Sequence, residues 1–77
     1  MSTRAFILIE TEVGRAKQVA ETLRTIPDVL AADVITGTFD VIATIEAPTM
    51  SAMAEVVTGQ IQGVRGVLRT ITCVSAG

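Results

Sequence analysis

The stretch Val34-Ile35-Thr36-Gly37-Thr38-Phe39-Asp40-Val41-Ile42 lies at the middle of a chain of 77 residues. Apolar residues flank a tight polar insert, Thr36-Gly37-Thr38, and an aromatic and a carboxylate follow it. Glycine reaches positive φ without steric cost, so the stretch reads as a hairpin bending at Gly37. Its incoming strand is residues 29–35 (VLAADVI), and its outgoing strand, residues 39–47 (FDVIATIEA), stops before Pro48.

Outside this hairpin the pattern changes to helical spacing on both sides. After Gly14, Ala16, Val19, Ala20, Leu23 and Ile26 recur on one face, with Arg15, Lys17, Gln18, Glu21 and Arg24 opposite. Lys17 and Glu21 stand at i, i+4, where they can pair. This predicts an amphipathic helix of about three turns, ended by Pro27 because a residue before proline is driven out of the helical region. On the other side Thr49 is placed to cap a second helix with the stripe Met50, Met53, Ala54, Val57, Ile61 and Val64. Gly63 and Gly66 punctuate its end. Residues 4–11 (RAFILIET) and 67–74 (VLRTITCV) supply the outermost strands, and residues 75–77 form a fraying tail.

The order is β-α-β-β-α-β, and the halves repeat: Val19, Leu23, Ile26, Val29 and Leu30 recur at constant offset as Val57, Ile61, Val64, Val67 and Leu68. Two βαβ halves joined by a hairpin make an α+β, ferredoxin-like sandwich, one domain over residues 1–77. Right-handed crossovers place both helices on one face of a four-stranded antiparallel sheet. In the first strand Phe6 and Leu8 point one way and Ala5, Ile7 and Ile9 the other, so both faces are apolar. Helices cover one. A partner's sheet is the natural cover for the other, and the domain is expected to dimerise through it.

Composition supports assembly. The chain is 49% hydrophobic and only 18% charged, against about a quarter charged in ordinary domains. A domain this small buries only about 60% of its unfolded surface, so apolar excess is most stably hidden between subunits. Net charge is −2 and the six basic residues are scattered, which gives no nucleic-acid footprint. No apolar run approaches the ~20 residues of a membrane span, and no secretory signal is evident. With one cysteine and no possible internal disulfide, a reduced, cytoplasmic setting is expected.

The reactive inventory is short. Histidine, tyrosine and tryptophan are absent, which removes the commonest general base and metal ligand. Neither a metal site nor a cofactor is expected, and catalysis is not. Cys73, inside the last strand, reads as a buried, inert thiol. Glycines are too dispersed to cradle phosphate. Asp40 has two readings: a cap for the amides of its own bend, or a receptor for an ammonium group. Thr70 and Thr72 alternate with Ile71 and Cys73, either as ordinary β-branched filling or as hydroxyls presented to a ligand.

The bend, the second helix and residues 63–72 (GVRGVLRTIT) together resemble the effector-binding, or RAM, domain of the Lrp/AsnC transcriptional regulators. That domain has a bend of the form Thr-Gly-x-(Tyr/Phe)-Asp and a last strand of the form Gly-Val-x-(Arg)-Thr-x-Thr. The resemblance covers essentially the whole chain. Family regulators carry a preceding winged helix-turn-helix, whereas here the first strand begins within a few residues of Met1. The chain is therefore similar to stand-alone versions of the module, and DNA binding is not implied. The resemblance implies dimers assembled into octameric or decameric rings, with amino-acid effectors in clefts between dimers. Carried over by position, the cleft would be lined by Thr36, Gly37, Thr38, Phe39 and Asp40, with Thr70 and Thr72 from a neighbouring strand. Phe39 in place of tyrosine keeps the ring and loses a hydroxyl. The function implied is small-molecule sensing linked to transcription or amino-acid metabolism. A module that co-assembles with full-length regulators is the alternative.

Overall fold

The computed structural model describes residues 2–76. Its elements run β1 (Thr3–Thr11), α1 (Ala16–Leu23), β2 (Val29–Val34), β3 (Val41–Ala47), α2 (Met50–Glu55) and β4 (Val67–Val74). They form one antiparallel sheet in the order β2-β3-β1-β4 with the helices on one face, the ferredoxin-like arrangement expected from the sequence.

Period-two alternation decides the core. Ala5, Ile7 and Ile9 of β1 and Val41, Ala43 and Ile45 of β3 are fully buried against Val19, Ala20 and Leu23 of α1 and against Met53 and Ile61. Burying a large aliphatic side chain contributes roughly 1.5–3 kcal/mol, so this layer holds the helices to the sheet. The other face stays open. Phe6 and Ile71 remain 39% and 41% exposed there, Cys73 lies opposite Phe6, and Leu8 lies between Ile42 and Ile71. Ion pairs close its two ends: Arg4–Glu46 at 3.0 Å and Arg69–Glu10 at 3.6 Å.

The internal repeat is written into the backbone. β2 and β4 begin at the equivalent residues Val29 and Val67. Each carries a bulge immediately afterwards, leaving the exposed Leu30 and Leu68 without an opposite number. Glu46 N–H donates to Asp28 O in one half, and Glu12 N–H donates to the equivalent Gly66 O in the other.

Five sequence expectations change. The bend is wider than a tight hairpin: β3 begins at Val41 rather than Phe39, and Ile35 N–H donates to Asp40 O across the loop at 2.9 Å. α1 ends at Leu23, short of three turns, because Thr25 and Ile26 switch to i→i+3 bonds before Pro27. Past Thr49, whose hydroxyl caps Ala52 N–H as predicted, α2 passes into a π-helical segment, Val56–Ile61. Of the expected stripe Met53, Val57 and Ile61 are buried and Val64 is half-buried, Val56 is buried with them, and Met50 and Ala54 are exposed. Finally, Cys73 is exposed, not buried, because it falls on the open face of an edge strand. Among the described residues, Lys17 and Glu21 form no ion pair.

Candidate functional site

The bend is built to present main-chain groups. Gly37 has φ +142°, a conformation essentially reserved to glycine, and Thr36, Gly37 and Thr38 are exposed. Among the described residues, the amides of residues 36–39 donate no hydrogen bond. Asp40 fixes the loop from below. Its N–H donates to Ile9 O at 2.9 Å, and its Oδ2 accepts the N–H of the buried Thr11 at 2.9 Å. The carboxylate thus caps the end of β1 opposite the bulge in β4, a partner far away in sequence and not the bend's own amides. Its Oδ1 has no protein partner among the described residues.

Phe39 turns toward the open face, where the Arg69 guanidinium lies 5.6 Å from its ring centroid. Glu10 holds the same guanidinium from the side. Arg69 and Glu10 therefore belong to the bend's surroundings. In the sequence Arg69 belongs to the last-strand pattern, and nothing in that pattern assigns it to the site.

Thr70 and Thr72 lie elsewhere. They stand opposite Ile9 and Ile7, on the helix side of β4, whereas Arg69 and Phe39 sit on the other side. Within one chain, the bend and the two threonines do not meet. Thr70 Oγ1 instead accepts a hydrogen bond from Gln62 Nε2 at 3.0 Å. Gln62 escaped the sequence reading because it breaks the α-helical stripe. It is the π-type bond from Gln62 N–H to Val57 O, 2.9 Å, that accompanies its turn toward β4.

Two furrows run along this outer edge of β4 and share Gln62. One, of about 390 Å³, is lined by Gln62, Val67, Leu68, Arg69 and Thr70. The other, of about 320 Å³, lies between the second helix and Thr72 and Val74. Among the described residues no group of three or more His, Cys, Asp or Glu could hold a metal ion. Among the described residues no helix is long and apolar enough to cross a membrane.

A ferredoxin-like sandwich with an open sheet face and a loop of unbonded amides defines the structural class. The family model described as the Lrp/AsnC ligand binding domain matches residues 4–76, and the chain belongs to that family. An uncharacterised HTH-type transcriptional regulator of Pyrococcus abyssi is 32% identical over 78 residues, covering 97% of this chain and 52% of that protein. The chain thus spans about half the length of the curated relative it matches. A hypothetical protein from Pyrococcus horikoshii superposes with a TM-score of 0.90 at 30% identity, over 100% of this chain and 92% of that one. A transcriptional regulator from Neisseria meningitidis, solved as its L-Met complex, has a TM-score of 0.86 at 22% identity. It covers 97% of this chain and 50% of its own, and shows the fold alone.

Proposed function

We propose that this domain is a non-enzymatic, oligomeric sensor of amino acids or similar small effectors, acting in the cytoplasm in regulation of transcription or amino-acid metabolism. The observation that carries the reading is the bend, whose unbonded amides on residues 36–39 stand beside Asp40. Free amides suit an α-carboxylate, and Asp40 Oδ1 suits an ammonium group while Oδ2 stays on Thr11. Family membership and the L-Met complex of the Neisseria regulator support an amino-acid effector. Because Thr70 and Thr72 lie across the sheet from the bend of their own chain, they would complete the pocket of a neighbouring subunit. Dimers formed through the open face and joined into an octameric or decameric ring would provide such neighbours. The same face would also accept the corresponding domain of a full-length regulator, a second reading that co-purification would reveal.

The test separates the two duties of Asp40. Asp40→Asn keeps an oxygen for Thr11 but loses the charge for an ammonium. In a thermal-shift screen of the amino acids, a true effector at a hundred times its Kd stabilises the wild type by about 2.7 kcal/mol. Asp40→Asn should keep near wild-type stability and lose most of that shift. An effector response that survives Asp40→Asn intact refutes the assignment of Asp40. A chain that responds to none of the amino acids refutes the sensor.

A further inference from the structure

The two halves of the repeat treat their edge strands differently, and the difference creates a site. Arg24 and Gln62 are equivalent: each is the C-terminal cap of its helix, with φ −64° and −67°. Each also reaches a residue eight positions on. Arg24 Nε donates to the main-chain carbonyl of Ala32, 2.9 Å away on β2. Gln62 Nε2 donates to the side chain of Thr70 on β4. The register places the carbonyl of Ala32 on the outer edge of β2, since Ile35 bonds inward to Asp40 and antiparallel ladders alternate. Arg24 therefore satisfies one outward carbonyl of that sheet edge. By the same alternation, with Ser75 N–H bonded inward to Arg4 O, Thr70, Thr72 and Val74 direct their main-chain groups outward. Gln62 leaves these open.

The furrows flanking Gln62 have opposite chemistry. One side offers the amide of Gln62 and the hydroxyl of Thr70 beside Arg69. The other is walled by Met50, Met53, Ala54 and Val57, facing Val74, and no charged side chain lines it. Its volume of about 320 Å³ stands at the lower end of the roughly 300–1,000 Å³ of small-molecule pockets. Methionine fills irregular space adaptably, and Met50 is 55% exposed at the rim.

We infer that this amphiphilic furrow selects the effector: its polar head lies along Gln62, Thr70 and Thr72, and its apolar, uncharged side chain enters the methionine groove. The inference rests on the amino-acid-sensing reading and names the class of amino acid sensed. A charged side chain would be buried there without a partner, whereas leucine or methionine would exchange water for apolar walls. The furrow lies on the side of β4 that would meet a neighbouring subunit's bend.

Methyl NMR of the whole chain, with [13C-methyl]methionine, tests this directly. The probes are L-methionine, L-leucine, L-norvaline, L-lysine and L-glutamate, together with the uncharged thioether alcohol 3-methylthiopropanol. L-Methionine and L-leucine should shift the Met50 and Met53 signals, and lysine and glutamate should bind at least tenfold more weakly. Norvaline, one heavy atom shorter than methionine or leucine, should bind about tenfold more weakly. Two folded variants should each weaken L-methionine by tenfold or more: Ala54→Phe, which fills the groove from an exposed position, and Gln62→Arg, which copies the closure made by Arg24. Equal binding of lysine, or methionine binding that leaves Met50, Met53 and both variants unaffected, overturns the inference while preserving amino-acid sensing. If the thioether alcohol shifts the groove methyls and no amino acid binds, the groove stands as an apolar site and the sensor reading fails. Silence from every probe overturns both.

Discussion

Gly66→Ala asks how closely β4 must approach α1. Gly66 is buried, has φ +100°, and its carbonyl accepts Glu12 N–H at 2.8 Å. A Cβ there would lie 3.1 Å from Val19 Cγ2 and 3.2 Å from Arg15 Cβ. Val19 is fully buried and Arg15 caps α1, so relief requires the helix N-terminus to move. The backbone conformation costs an alanine about 1–2 kcal/mol, and forcing a methyl into packed surroundings adds about 1–3 kcal/mol. Lower entropy of the unfolded chain returns about 0.4–1 kcal/mol. The net loss is about 1–4.6 kcal/mol, a large share of the ~0.05–0.15 kcal/mol per residue that holds such domains together.

Gly37→Ala is the internal control. Its φ is also positive, at +142°, but nothing lies within 4 Å of the added atom. It should lose only the backbone component, about 1 kcal/mol after the entropic offset. Urea and thermal denaturation followed by circular dichroism, at one fixed protomer concentration to hold any assembly constant, compare the two. With about 4–8 °C per kcal/mol for a domain of this size, the variants should differ by roughly 5–20 °C in melting temperature. Equal destabilisation would refute the reasoning, because it would mean that the approach of Gly66 to Val19 carries no energetic weight.

Thr49→Ala removes the oxygen that accepts Ala52 N–H at 3.1 Å and should cost about 1 kcal/mol in the same urea experiment. Ile71→Asp puts a charge on the open sheet face, directly opposite Leu8 of β1. Light scattering should then show a smaller assembly than the wild type, with the far-ultraviolet spectrum unchanged. Glu46 is held below the ordinary glutamate range, first by the hydrogen bond from Arg4 and then by one from Ser2. Its contribution to stability is therefore full above the unfolded carboxyl's pKa and fades as pH falls through the lower folded value. Glu46→Gln should lower the urea midpoint slightly at neutral pH, as suits an exposed pair, and the gap should close on acidification.

The repeat is what made the fold legible. Val29 and Val67 mark equivalent strand starts, and the bulged Leu30 and Leu68 show that both copies fold by one local rule. What escaped the sequence depended on facing and on distant partners. Alternation in β4 pairs Ile71 with Cys73 but does not say which pair of faces meets the helices, so the exposure of Cys73 was not readable. The π-helical turn shifts Gln62 out of the expected stripe, and no apolar period could reveal a polar residue at its cap. Asp40 was conspicuous in sequence, yet its partner Thr11 lies on another strand, brought near only when β1 and β3 pair.

The same comparison explains why the two edges differ in use. Arg24 and Gln62 occupy one position of one repeated unit, and both reach across to the strand that follows. A guanidinium is long enough to satisfy the outer main-chain carbonyl of Ala32, so that edge offers less to a second molecule. The shorter amide stops at the hydroxyl of Thr70, so the main chain beyond it stays available. A sheet edge with open hydrogen-bonding groups must recruit something to satisfy them or stay in water. One substitution between equivalent positions thus separates a strand that finishes the domain from one that opens it to a ligand.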